Sequence, residues 1–140
     1  MEKIFVDTNI FIRALTNDIA SKASQCTELF IKAQNGGITL YTTNFIIAEI
    51  IYVCTSSKTY NISRNEIYNL LLPYLILENL KIEDKAVVLQ GLQLYNDTNL
   101  DFEDCLLVAT AQAENNYQSA KIYTYDKGFD KLDGINRLEP

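Results

Sequence analysis

The run Lys3 to Arg13, KIFVDTNIFIR, sets an aspartate between two short apolar runs. Ile4, Phe5 and Val6 favour a strand, and a short apolar run bounded by polar residues is expected to be buried on both faces, as in a parallel sheet. Thr8 and Asn9 are good N-cap residues, so the chain is expected to turn into a helix there. Asp7 would then stand at the carboxyl end of a central strand, where open α/β sheets place their ligands. A carboxylate in that setting is costly to bury without a partner.

The rest of the chain alternates helix and strand signals. Ile19, Ala23, Cys26, Phe30 and Ala33 mark an amphipathic helix over Asp18 to Gln34, closed by Asn35, Gly36 and Gly37. A strand is expected over Ile38 to Tyr41. It leads through Thr42, Thr43 and Asn44 into a helix from Phe45 to Thr55, apolar almost all round and expected to be largely buried, with Glu49 in its middle. Ser63 and Glu66 form a capping box for a helix that Pro73 is expected to end or kink after Leu72. A strand over Ile76 to Ile82 and a helix to about Asn96 follow, the latter with Ala86, Leu89, Gln90 and Leu94 on one side. Leu100 to Ala113 is the next helix, with Phe102, Cys105, Leu106, Val108 and Ala109 for the core. Strand Lys121 to Tyr125, a helical turn Phe129 to Leu132 and strand Ile135 to Leu138 finish the chain. With no Asn-Gly hairpin signal, this order predicts an α/β fold with a mainly parallel sheet.

A length of 140 residues, an apolar fraction of 48% and only 5 Gly and 2 Pro fit one folded domain, 1–140. No basic segment followed by a long apolar run opens the chain, and the longest apolar run, Phe45 to Cys54, is too short to span a bilayer. A cytoplasmic protein with no membrane partner is expected. Cys26, Cys54 and Cys105 are scattered and odd in number, so they read as reduced core residues rather than a disulfide framework or zinc motif. The chain has no histidine, which removes His triads, His general bases and His-rich metal sites. A net charge of −6 disfavours nucleic acid on its face.

Four acids stand out by context. Asp7 and Asp126 each follow a strand, and in one parallel sheet both would emerge at the same edge. Glu49 interrupts an apolar helix. Asp104 lies in the first turn of another, three residues after Asp101. Each has a plain reading: Asp7 as a helix cap, Asp104 as a first-turn acid favoured by the dipole, Asp126 as a turn former before Gly128, Glu49 in a buried salt bridge. One metal site answers all four. Clustered carboxylates repel unless a cation is present, and oxygen ligands without His or Cys select Mg²⁺, with Mn²⁺ as a substitute. Such a site can activate water and stabilise a phosphodiester's attacking and leaving oxygens.

FVDTNIFIR, the isolated Glu in NFIIAEIIYV, LDFEDCLLVATAQ and IYTYDKGFDKL resemble, in order and spacing, the PIN domain of VapC-type toxins, over essentially the whole chain. The resemblance implies a Rossmann-like three-layer α/β/α fold and a Mg²⁺-dependent ribonuclease acting on RNA. It implies Asp7, Glu49, Asp104 and Asp126 as catalytic acids, with Asp7, Asp104 and Asp126 on the metal. Asn9 and Thr124 match supporting polar positions, and Asp101 and Asp130 are further acids. No departure removes one of the four acids, so activity is expected. By analogy the resemblance also implies a cognate antitoxin and a homodimer. Discounting the four site carboxylates from −6 leaves −2, and Arg13, Lys58, Lys127 and Lys131 are candidates for local positive potential, or else solvated surface charges.

No side chain is an obvious general base, so water activation is expected to fall to the cation. Two alternatives are weighed. An aspartyl-phosphate enzyme of the D-x-D type would need aspartate where Asn9 stands, and a receiver domain would need paired acids after the first strand. A PIN-domain protein could also serve as a nuclease that is not a toxin, or as a non-catalytic module binding metal or a partner.

Overall fold

A computed structural model describes residues 2–140. The chain divides into two compact units, Met1–Lys85 and Ala86–Pro140.

The first unit is built on a parallel three-stranded sheet in the order β1 (Lys3–Phe5), β2 (Thr39–Thr42), β3 (Leu80–Ile82). Parallel neighbours need long crossovers. The first crossover is α1 (Thr8–Thr16) and α2 (Ala20–Gln34); the second is α3 (Asn44–Thr55) and α4 (Arg64–Leu75). Leu40 and Leu80 are fully buried, as is Phe11 of α1. The Phe11 and Phe30 rings lie 5.0 Å apart between centroids, and Phe30 meets Tyr74 edge-on at 4.7 Å, which ties α1, α2 and α4 together.

Helix ends follow the capping residues. Ser63 Oγ accepts from the Glu66 amide at 3.1 Å, and Thr43 Oγ1 from the Ile46 amide at 3.1 Å. At the end of α2, Gly36 N–H bonds Ala33 O and Gly37 N–H bonds Lys32 O, with Gly36 at φ 81°. This is a Schellman closure, and its positive φ suits glycine.

The second unit holds α5 (Lys85–Asp97), α6 (Phe102–Glu114), a parallel pair β4 (Ala120–Tyr123) and β5 (Ile135–Leu138), and between those strands a short 3-10 helix, Lys127–Lys131. Its core includes Val88, Leu92, Tyr95, Phe102, Cys105, Val108 and Phe129. Gly91 lets α5 close on α6: a Cβ there would lie 3.1 Å from Leu106 Cδ2.

Every strand pair described is parallel and lies among helices, so the α/β class expected from the sequence is found. Several local expectations are corrected. Phe5 is 78% exposed, and β1 stands at one end of its sheet order rather than at the centre. Helix α3 is buried only on the Ile47, Ile50, Ile51 and Cys54 side, with Phe45 and Tyr52 exposed. Pro73 does not stop α4, which continues to Leu75. The expected strand from Ile76 begins only at Leu80, because Ile76 adopts helical angles as the cap of α4. The buried side of α5 is Val88, Gly91, Leu92 and Tyr95, not Ala86, Leu89, Gln90 and Leu94. All three cysteines are free and buried, and burial pushes the Cys54 thiol up to about 11. No described helix is long and apolar enough to cross a membrane.

Candidate active site

In the first unit the chain leaves β1 at Val6, which is still held to β2. Val6 N–H donates to Tyr41 O at 2.8 Å, and Thr42 Oγ1 donates to Val6 O at 3.0 Å. Asp7 follows as the N-cap of α1, its Oδ1 accepting from the Thr8 amide at 2.7 Å. The helix start therefore falls one residue earlier than Thr8 and Asn9 led us to expect, and Asn9 lies exposed in the first turn. Asp7 is itself exposed, so no buried charge needs a partner. Glu49 is exposed on α3 as well, and its Oε2 accepts from Thr8 Oγ1 at 2.7 Å. A hydroxyl, not a lysine or arginine, is its hydrogen-bond partner. Thr8, only 5% exposed, is the residue sequence reasoning missed: a buried threonine between Asp7 and Asn9 had been read only as a cap.

In the second unit Asp104 and Asp126 line one open depression of about 380 Å³, together with Asp97, Asp101, Gly128 and Lys131. Asp101 is the N-cap residue of α6, and Glu103 and Asp104 occupy its first turn. Partial burial raises the Asp104 carboxyl above the usual aspartate range, and the nearby charges of Asp101, Asp126 and Glu103 push the same way. Asp126 caps the 3-10 helix: its Oδ1 accepts from the Gly128 amide at 2.8 Å, and its own N–H donates to Thr124 Oγ1 at 3.1 Å. A Cβ at residue 128 would stand 3.0 Å from Asp126 Oδ1 and 3.3 Å from Leu100 Cδ2, so any larger side chain there crowds the Asp126 carboxylate. Asp126 follows β4 by two intervening residues, Thr124 and Tyr125, rather than directly.

The remaining expected residues have other work. Asp130 turns to Arg137, whose Nε donates to it at 2.8 Å, while Arg137 Nη1 donates to Thr124 O at 3.1 Å. Arg137, on the last strand, thus braces the segment carrying Asp126. Arg13 is engaged with Asp18 at 2.8 Å, and Tyr60 Oη donates to the same carboxylate at 2.7 Å. The Tyr60 hydroxyl and the Arg13 guanidinium hold Asp18 below the ordinary aspartate range. Arg13 is therefore not a free cation for a ligand.

The donor set of the depression fits a hard divalent cation. Asp104 and Asp126 present carboxylate oxygens whose mutual repulsion a cation would relieve. Among the described residues no group of three or more His, Cys, Asp or Glu side chains is placed to hold an ion. Mg²⁺, however, usually takes only one or two carboxylates, with waters and substrate phosphate completing its shell.

The comparison with curated proteins gives no match. Among solved structures, the chain is similar to one in the crystal structure of VapBC2 from Rickettsia felis bound to a DNA fragment from their promoter. That similarity has 19% identity, covers 99% of this chain and 98% of that one, and has a TM-score of 0.35. The family model of the PIN domain matches residues 4–135, across both units. PIN domains are generally nucleases and typically depend on a divalent metal. With the model matched over nearly its whole length, this chain belongs to the PIN-domain family.

Proposed function

We propose that this protein is a Mg²⁺-dependent endoribonuclease that hydrolyses phosphodiester bonds in RNA, acting as the toxin of a toxin–antitoxin pair. One observation carries the reading. Asp104 is half-buried in a depression it shares with Asp126, with Asp101 and Glu103 close by, so its carboxyl is held above the ordinary range. Such an environment calls for a cation, and family membership supplies the chemistry.

Asp7, Asp104 and Asp126 are the proposed metal ligands, and Glu49 is the fourth catalytic acid. When bound, a divalent cation supplies Lewis-acid polarisation of the phosphate and makes water acidic enough to attack at neutral pH. The chain's own part is to keep the carboxylates oriented. Thr8 fixes Glu49 through its hydroxyl, the α1 amide of Thr8 fixes Asp7, and the Gly128 amide fixes Asp126. Antitoxin binding and dimerisation rest on the VapC-like motifs in the sequence.

The test is cleavage of mixed RNA and single-stranded DNA by the purified chain, with Mg²⁺, with Mn²⁺ and with EDTA. RNA cutting that requires the metal supports the reading. Folded protein that leaves RNA intact with either metal overturns it.

A further inference from the structure

The second unit, 86–140, carries nine acids and four basic residues, so a polyanionic substrate approaching it meets a negative field. The depression around Asp104 and Asp126 concentrates that charge, with Asp97 and Asp101 also on its wall. One cationic side chain lines it: Lys131.

The segment that carries Lys131 is fastened at four points. Asp126 caps its start through the Gly128 amide at 2.8 Å. Phe129, at its middle, is 1% exposed and anchors it in the core. Asp130 is bridged to Arg137 at 2.8 Å. At its end the Leu132 amide bonds Phe129 O at 3.2 Å. Five residues therefore hold Asp126 and Lys131 at a fixed offset, both toward the depression. Lys131 is exposed and forms none of the ion pairs among the described residues, which join Arg13 to Asp18 and Arg137 to Asp130 and Glu139. An ammonium placed beside acids only to neutralise them would be expected in such a pair.

We infer that Lys131 binds a phosphate of the RNA next to Asp104 and Asp126, positioning the strand for cleavage. This rests on the nuclease reading. A lysine is a flexible point charge suited to a single phosphate oxygen. It supplies attraction where the carboxylates repel, and its contact is made to the substrate before as well as during reaction, so it governs KM more than kcat.

The test compares wild type, Lys131→Met and Lys131→Arg with a labelled single-stranded RNA that wild type cuts. For Lys131→Met, KM rises on the order of tenfold, as for a lost hydrogen bond to a charged group, while kcat holds within about twofold. Lys131→Arg restores KM. In an Asp104→Asn background, where RNA binds without being cut, Lys131→Met lowers the dependence of log Kd on log salt by about 0.7, one phosphate contact on a single strand. Unchanged KM and salt slope in Lys131→Met, with wild type cutting normally, overturn the inference and leave the nuclease reading standing. Wild type that cuts no RNA overturns the nuclease reading and this inference together.

Discussion

Thr8 Oγ1 donates to Glu49 Oε2 at 2.7 Å, joining the first turn of α1 to the middle of α3 across 41 residues of sequence. The hydroxyl is buried and the carboxylate exposed, so the bond fixes an acid that solvent would otherwise leave free to change rotamer. Thr8→Val keeps the shape and removes the donor. The expected loss of stability is about 1 kcal/mol, because Glu49 can recover hydration. RNA cleavage falls with it, while Thr8→Ser retains both. Urea denaturation and initial cleavage rates check this.

Asp104 makes stability depend on pH in the direction opposite to ordinary acid unfolding. Its folded-state pKa lies above its unfolded value. The native state therefore binds more protons between the two values, and stability falls as pH rises through that window. At neutral pH without divalent cations, Asp104→Asn is expected to melt at a higher temperature than wild type. Added Mg²⁺ then raises the wild-type Tm, by an amount equivalent to about 2.7 kcal/mol at a hundredfold excess over Kd, and raises that of Asp104→Asn less. Thermal melts in EDTA and in Mg²⁺ at several pH values measure both effects.

Gly91 lets α5 approach Leu106, and a Cβ there would come within 3.1 Å of Leu106 Cδ2 and 3.6 Å of its Cα. Gly91→Val adds further bulk to the same contact. It is expected to cost about 1–3 kcal/mol, as overpacked cores do, despite the entropy gained by replacing a helical glycine. Chemical denaturation of the variant gives the value directly.

Much of this architecture was legible because local chemistry and global fold agree. Ser63 with Glu66, the Asn35–Gly37 stop and the Ile135–Leu138 strand each announce themselves by residue type, and each is found in place. The face of α5 was not legible. Gly91 carries no apolar signal yet packs against Leu106, while Leu89 and Leu94, which carry one, are only half-buried. The settings of Asp7 and Glu49 were misread for a related reason. An apolar run shows that its own residues seek a core, but not whether the acid inside it faces inward, and both acids are exposed. Their tether, Thr8, was hidden because a threonine after an aspartate looks like capping and nothing more. At Pro73 the lost amide bond does not end α4, which runs on to Leu75 with Leu71 and Leu75 fully buried.

The most direct measurement is the rate of RNA cleavage at saturating Mg²⁺ by wild type, Asp7→Asn and Asp104→Asn, each shown to be folded by its circular dichroism and melting curve. Asp7 lies in the first unit and Asp104 in the second. If acids from both units serve one metal-dependent hydrolysis, each variant loses activity by on the order of a thousandfold, as expected when electrostatic stabilisation at the reacting phosphate is removed. Wild-type rates in either folded variant would contradict it.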